Sequence, residues 1–187
     1  MAAIERLLER GASYAELTVA EIASEAGISW TSFYFAFEDK RDLLKTAAGE
    51  LAGLMTGPVE QWLSDSGSTR DELERALRVL VCGFADHAPL LRAVIEAAAY
   101  DAQVGVFWHD LVARYIVLAR DRLRVSGACT AERAEALGAA AVWMTERVLY
   151  QEVACRSGHS DTSYVVEVLA DVWWGVVTGR FGANERA

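Results

Sequence analysis

The sequence predicts an all-α protein of about nine helices, and three observations predict it. Apolar residues recur at three- and four-residue intervals in almost every segment, as one buried face of a helix requires. Ser, Thr or Asp residues stand before these runs, twice with Glu three positions later, which is the chemistry of a helix start. No segment alternates apolar and polar residues as a half-buried strand would, and the 187 residues contain only 2 Pro against 14 Gly.

Each element follows from local chemistry. Ile4, Leu7 and Leu8 share one face of a first helix near residues 2–10, with Gly11 as its left-handed stop. Thr18 and Glu21 form a capping box that opens a second helix, broken at Gly27. Ser29 caps a short third helix running to about Phe35, and Asp39 with Asp42 opens a fourth. Gly57-Pro58 predicts a kink or break, because Pro removes a backbone donor and crowds the preceding turn. The polar run from Ser64 to Thr69 is a linker, and Thr69 with Glu72 is a second capping box that starts a fifth helix ending near Asp86. Pro89 suits the first turn of a sixth helix ending near Tyr100, and a seventh spans about Gln103 to Val125. Thr130 opens an eighth that ends at Ser157-Gly158. Asp161 caps a ninth, in which Val165, Val168, Leu169, Val172 and Val176 form one apolar stripe.

Composition narrows the function. With 53% apolar and 24% charged residues the chain is a packed protein, not a disordered one. The longest apolar runs fall far short of the roughly 18 residues a bilayer span needs, and Glu5 and Glu9 stand where a secretory signal would be basic and then apolar. The expected location is the cytoplasm. Cys82, Cys129 and Cys155 are too widely spaced for a zinc pair and are expected as free thiols. The net charge of −9 makes the whole chain a poor match to a polyanion, so any contact with nucleic acid must be local.

The segment from Thr18 to Lys45 supplies such a contact. Two short helices joined by a tight turn at Gly27 have the layout of a helix-turn-helix, whose second helix enters the major groove. Ile22, Ala23, Ala26 and Ile28 offer a small apolar face to fix the angle between the helices. Ser29, Trp30, Thr31 and Ser32 form the exposed opening turn of the second, where hydroxyls and the helix amino terminus favour phosphates or base edges.

At Thr18-Val19, Ile22-Ala23, Ala26-Gly27-Ile28-Ser29, Phe33-Tyr34, Phe37, Lys40 and Leu43-Leu44, the sequence resembles the TetR family of bacterial transcriptional regulators, and within it the EthR type. Weaker similarity continues through Phe84, His87, Trp108, Thr145-Glu146-Arg147 and Trp173. The resemblance implies a helix-turn-helix DNA-binding domain of three helices at residues 1–46 and a larger helical ligand-binding and dimerisation domain at 47–187. The implied partners are a two-fold symmetric double-stranded DNA operator, a small apolar or aromatic effector, and a second copy of the chain joined through the last two helices. No cofactor is implied. Carried over by position, Ser29, Thr31 and Ser32 sit at the groove, Tyr34 reaches a phosphate, Lys40 meets another, and Thr18 caps the second helix and touches the backbone.

Trp30 stands where the family often has Lys or Arg, and either meets a thymine methyl or rests against its own domain. Ala36 replaces a usual Tyr or His, and Glu38-Asp39 a typical Pro-Ser. Residues 1–50 hold five basic side chains against nine acidic, a net of −4. About three phosphate contacts per half would neutralise roughly six in a dimer and give a salt slope near −5.

In the larger domain, Leu77, Leu80, Phe84, Trp108, Tyr115, Trp143, Met144 and Trp173 lie on helices that the EthR type arranges around a tunnel-like pocket, with Thr145 as the polar group orienting the guest. Taken singly, each of these residues reads first as plain core. Gly138, Ala140, Ala141 and Gly175 permit close approach of a second subunit, or packing inside one. The implied mechanism is that a filled pocket moves the sixth and seventh helices against the fourth and so changes the separation of the two recognition helices.

Two rivals stand beside this reading. One is an enzyme, but Asp86-His87 and His109-Asp110 are sequence neighbours that do not face each other on a helix, and no nucleophile or phosphate-cradling motif accompanies them. Glu152, Cys155 and His159 have helical spacing for a metal, yet Gly158 ends that helix first, so neither a catalytic nor a metal site is expected. The other rival is a small-molecule-binding dimer of the same fold that has lost specific DNA binding.

Overall fold

Helix α1 (Ala2–Glu9) buries Ile4 and Leu8, one turn apart, and stops before Gly11, whose φ of 87° suits only glycine. This computed structural model describes residues 2–156 and 162–180 of the chain. Among the described residues all regular structure is helical.

The starts anticipated from capping chemistry are present. Thr18 caps α2 (Val19–Ala26): its Oγ1 accepts from the Glu21 amide at 3.2 Å, while the Glu21 carboxylate accepts from the Thr18 amide at 2.8 Å. Ser29 caps α3 (Trp30–Ala36), accepting from the Ser32 amide at 3.0 Å. Asp39 Oδ1 accepts from the amides of Arg41 and Asp42, each at 2.8 Å, to open α4 (Lys40–Met55). At Gly57-Pro58 the chain breaks rather than kinks, and α5 (Gly57–Ser64) begins with Pro in its first turn. The Thr69 and Glu72 capping box starts α6 (Arg70–Asp86). Helices α7 (Ala88–Ala98) and α8 (Ala102–Ser126) follow, then α9 (Ala131–Val148), capped by Thr130, and α10 (Ser163–Val177).

One difference stands out. The eighth predicted helix does not continue as α-helix: after Val148 the chain winds into a π-helical stretch, Leu149–Ala154, closed by a 2.9 Å bond from the Cys155 amide to the Tyr150 carbonyl five residues back. The wider turn lets Leu149, Val153 and Ala154 all be buried. The expected stops and ligands at Ser157, Gly158 and His159 and the cap at Asp161 lie outside the described residues. Thr162 precedes α10 without a side-chain cap bond.

Among the described residues, packing groups those up to 54 with 87–110, and 55–86 with those from 111 onward. In the first unit α1 lies against α2 and α7, and α2 against α3. In the second, α6 packs on α5 and α10, and α9 on α10. Three expectations about buried faces need correction. Ile22 and Ala23 are buried, but Ala26 and Ile28 are exposed, so two residues rather than four seat α2. Val168 is exposed although the other members of its stripe are buried or half-buried. Gly138 serves internal packing: a Cβ there would lie 3.0 Å from the Arg120 amide nitrogen and 3.4 Å from the Ile116 carbonyl, so glycine lets α9 close on α8.

Candidate nucleic-acid interface

The turn between α2 and α3 is built by backbone bonds. Gly27, at φ 68°, donates to the Ser24 carbonyl at 3.1 Å, and Ile28 donates to the Ala23 carbonyl at 3.0 Å, so two orphan carbonyls of α2 are satisfied as the chain reverses. Ser29 then caps α3, and its Oγ also lies 2.8 Å from Ser32 Oγ. Phe33, 1% exposed, anchors α3 to the core, with Phe37 beside it at 5.6 Å between ring centroids.

Everything else on α3 faces outward. Ser29, Thr31 and Ser32 are exposed, as is Thr18 at the start of α2. Trp30 is 61% exposed and meets Tyr34 edge-on along α3, with ring centroids 4.4 Å apart. Tyr34 is 42% exposed. Phe35, which the sequence reading did not single out, is 95% exposed. Its signal was available: two positions beyond the buried Phe33, it falls on the opposite side of the helix.

Four basic side chains of this unit are engaged by partners within it, Arg6 and Arg10 as exposed surface pairs. Arg6 Nε pairs with the Glu25 carboxylate at 2.7 Å, Arg6 Nη2 donates to the Glu25 carbonyl at 3.1 Å, and Arg10 pairs with the same carboxylate. The Arg10 and Arg6 guanidiniums together hold the Glu25 carboxyl below its ordinary value. Lys40 Nζ donates to the carbonyls of Tyr14, Ala15 and Leu17 at 3.1, 3.0 and 2.7 Å, which commits all three of its hydrogens to the loop before α2. Arg41 Nε pairs with Asp101 at 2.7 Å. Burial alone would raise the Asp101 carboxyl, but the amides of Val104 and Gln103 and the Arg41 guanidinium outweigh it and lower the pKa. His87 Nδ1 lies 2.8 Å from Glu5 Oε1. Partners of these side chains lie 15 to 82 residues away in sequence, which is why the charge count alone did not reveal them.

The second unit carries the aromatic residues anticipated as a ligand box. Leu77, Leu80, Phe84, Thr145 and Trp173 are buried, and Tyr115, Trp143 and Met144 are half-buried. Thr145 and Trp173 are brought together: Trp173 Nε1 donates to Thr145 Oγ1 at 2.8 Å, and that hydroxyl donates onward to the Ala141 carbonyl at 2.8 Å. The polar group expected to orient a guest thus already serves the indole. The Tyr115 hydroxyl lies 2.8 Å from Thr56 Oγ1 and 3.0 Å from Glu60 Oε1, and burial, aided by the Glu60 carboxylate, raises its pKa. Trp108 belongs to the first unit, where its indole nitrogen is buried without a hydrogen-bond partner.

Trp62 was missed by the sequence reading. It stacks edge-on to Trp173 at 6.3 Å, donates to the Thr69 carbonyl at 3.1 Å, and carries the buried Arg122 guanidinium 5.0 Å over its ring. Burial lowers the Arg122 pKa. A cavity of about 300 Å³ opens between α5 and α6, walled by Gln61, Trp62, Asp65, Ser68, Glu72 and Arg75 among others. None of the nine residues expected to line the effector pocket lines it.

Against known proteins, residues 1–47 match the family described as bacterial regulatory proteins, tetR family, and residues 73–179 match the C-terminal domain of transcriptional regulator EthR. The HTH-type transcriptional regulator EthR of Mycobacterium tuberculosis strain H37Rv is 27% identical over 191 residues, 98% of this chain and 86% of that protein. Its namesake from Mycolicibacterium smegmatis is 24% identical over 185 residues, 96% of this chain and 84% of that protein. Two solved structures share the fold. The TetR family repressor AlkX from Dietzia sp. strain DQ12-45-1b superposes with a TM-score of 0.59 at 15% identity, over 94% of each chain. A TetR-family transcriptional regulator from Mesorhizobium loti gives 0.67 at 18% identity, over 94% of this chain and 91% of that one.

Proposed function

Since the chain belongs to the TetR family of HTH-type transcriptional regulators, EthR type, and is a DNA-binding protein rather than an enzyme, we propose that it is a repressor that acts as a homodimer on a palindromic operator and is released by a small apolar or aromatic molecule. One observation carries this reading: α3 is anchored by Phe33 alone and turns a continuous hydroxyl and aromatic face to solvent. In each half, Ser29, Thr31 and Ser32 meet base edges or phosphates, Trp30 and Tyr34 flank them, and the exposed Thr18 touches the backbone. Lys40 acts by holding the loop at Tyr14 to Leu17 against the start of α4, since its hydrogens are already donated there.

The effector occupies the aromatic interior walled by Leu77, Leu80, Phe84, Tyr115, Trp143, Met144 and Trp173, and Thr145 positions the Trp173 indole that faces it. The functional division falls at residues 46 and 47, while packing draws α7 and the start of α8 to the DNA-reading unit. Through Arg41 and Asp101, α4 is tied to the start of α8, so a ligand that displaces α8 shifts α4 and the recognition helix with it. The last two helices, α9 and α10, join the subunits; half-exposed Tyr164 and Val168 on α10 supply apolar surface for that contact. The site of action is the cytoplasm.

A second reading, a ligand-binding dimer without specific DNA recognition, is favoured by the engagement of Arg6, Arg10, Lys40 and Arg41 with partners in their own unit. Fluorescence anisotropy on duplexes from the gene's own upstream region separates the two. Specific binding with a salt slope shallower than the roughly −5 expected from six neutralised phosphates supports the repressor, because hydroxyl contacts release no counterions. Equal, weak binding to all duplexes supports the alternative. Unchanged DNA affinity across titrations of apolar ligands that bind the protein would overturn the release mechanism.

A further inference from the structure

The recognition helix has an unusual chemistry. Trp30–Ala36 carries no charged residue, and neither Asn nor Gln. The side chains that read guanine, Arg and Lys, and those that read adenine, Asn and Gln, are all absent from the helix that enters the groove. At about 100° per residue, and taking buried Phe33 as the inward direction, Thr31 and Phe35 lie roughly 160° and 200° away, so they form the ridge that projects furthest from the core. Trp30 and Tyr34 occupy one flank and pair with each other, and Ser32 the other flank, within reach of Ser29. Phe35, 95% exposed, is therefore an apolar side chain at the crest of a DNA-reading surface, continuous with the hydroxyls of the opening turn.

A bare phenyl ring has nothing to offer a phosphate and no hydrogen bond to give a base. The major groove presents a single apolar group, the C5-methyl of thymine. We infer that Phe35 is a specificity-determining residue that reads thymine 5-methyl groups, with Thr31 beside it, so that the operator half-site is recognised by its thymines. The inference rests on the proposal that α3 enters the groove, and it adds which residue discriminates and what it discriminates.

The test deletes the methyl and nothing else. Duplexes enriched from a random pool by the full-length protein are resynthesised with deoxyuridine in place of each thymidine of the half-site. Wild type should lose about four-fold in affinity for each contacted methyl removed, as one buried methyl group implies. Phe35→Ala should bind the thymidine duplex about ten-fold more weakly and show no further loss on uracil substitution, while Phe35→Leu, still apolar, should keep the sensitivity. Matching thermal melts of the three proteins establish that the fold is intact.

Equal binding of thymidine and deoxyuridine duplexes by wild type would overturn the inference while leaving α3 as the reader. Retained uracil sensitivity in Phe35→Ala would overturn the assignment to this residue. If no sequence is enriched at all, the groove-entry reading itself fails, and the inference falls with it.

Discussion

Trp30 on α3 and Trp173 on α10 are the same side chain in opposite surroundings. Trp173 is 5% exposed, its indole N–H donates to Thr145, and Trp62 meets it edge-on. Trp30 is 61% exposed, meets the ring of Tyr34 on its own helix, and stands beside the still more exposed Phe35. At Trp173 aromatic surface is buried and its polar atom is matched inside; at Trp30 and Phe35 it is left facing water on the helix that the family uses to read DNA. Scattered exposed apolar residues need no explanation, but three aromatic rings on seven residues of one capped helix do. The difference teaches that aromatic content alone does not mark a ligand box; the fate of each ring does.

The contrast can be broken by substitution. The largest effect is expected for Trp173→Ala, which removes a buried ring and leaves a cavity: a loss of about 3–5 kcal/mol in denaturant unfolding. Thr145→Val keeps the volume but strands the indole N–H of Trp173 in the core, at a cost of about 1–3 kcal/mol, measured the same way. Trp30→Ala should change unfolding stability by less than about 0.5 kcal/mol, as an exposed site allows, while weakening operator binding. A loss from Trp30→Ala comparable to that from Trp173→Ala would show that the two rings play the same part.

The smallest effect concerns acid. Thr18 hydrogen bonds hold the Glu21 carboxyl below its ordinary 4.5, and the Arg10 and Arg6 bonds do the same for Glu25. A carboxyl whose folded pKa is depressed stabilises above its unfolded pKa, and that contribution fades as pH falls through the folded value. Lowering pH from about 5 to about 3 should therefore loosen α2 while the hydrogen-bonded aromatic core of α10 holds. Amide exchange, corrected for the intrinsic pH dependence, reads this directly: protection in α2 falls and protection in α10 persists.

What was legible in the sequence is what local chemistry decides. The capping boxes at Thr18 and Thr69, the Ser29 cap, the break at Pro58 and the left-handed Gly11 each depend on atoms within a few residues, and each is present in the fold. The TetR resemblance also came from a short contiguous segment. What stayed hidden depends on distant partners. Lys40 looks like a phosphate contact until the carbonyls of Tyr14, Ala15 and Leu17 close around it. Gly138 looks like interface until α8 is found against it, and the π-helical turn after Val148 answers to packing that no sequence window contains. Phe35 was legible only through Phe33: once Phe33 is taken as the buried anchor, a residue two positions on falls on the outer face.

The central claim, that the outward face of α3 is the DNA-reading surface, is tested most directly by Phe35→Glu. The side chain touches nothing in its own unit that a change of charge would disturb, so the variant should melt as wild type does, whereas a carboxylate at the crest of α3 would face the phosphates. A footprint on the upstream duplex should show wild type protecting two patches one helical turn or a multiple apart. Phe35→Glu should lose that protection, with an affinity loss of about 100-fold or more. A fully folded Phe35→Glu protein that protects the same bases as wild type, at the same concentration, would contradict the account.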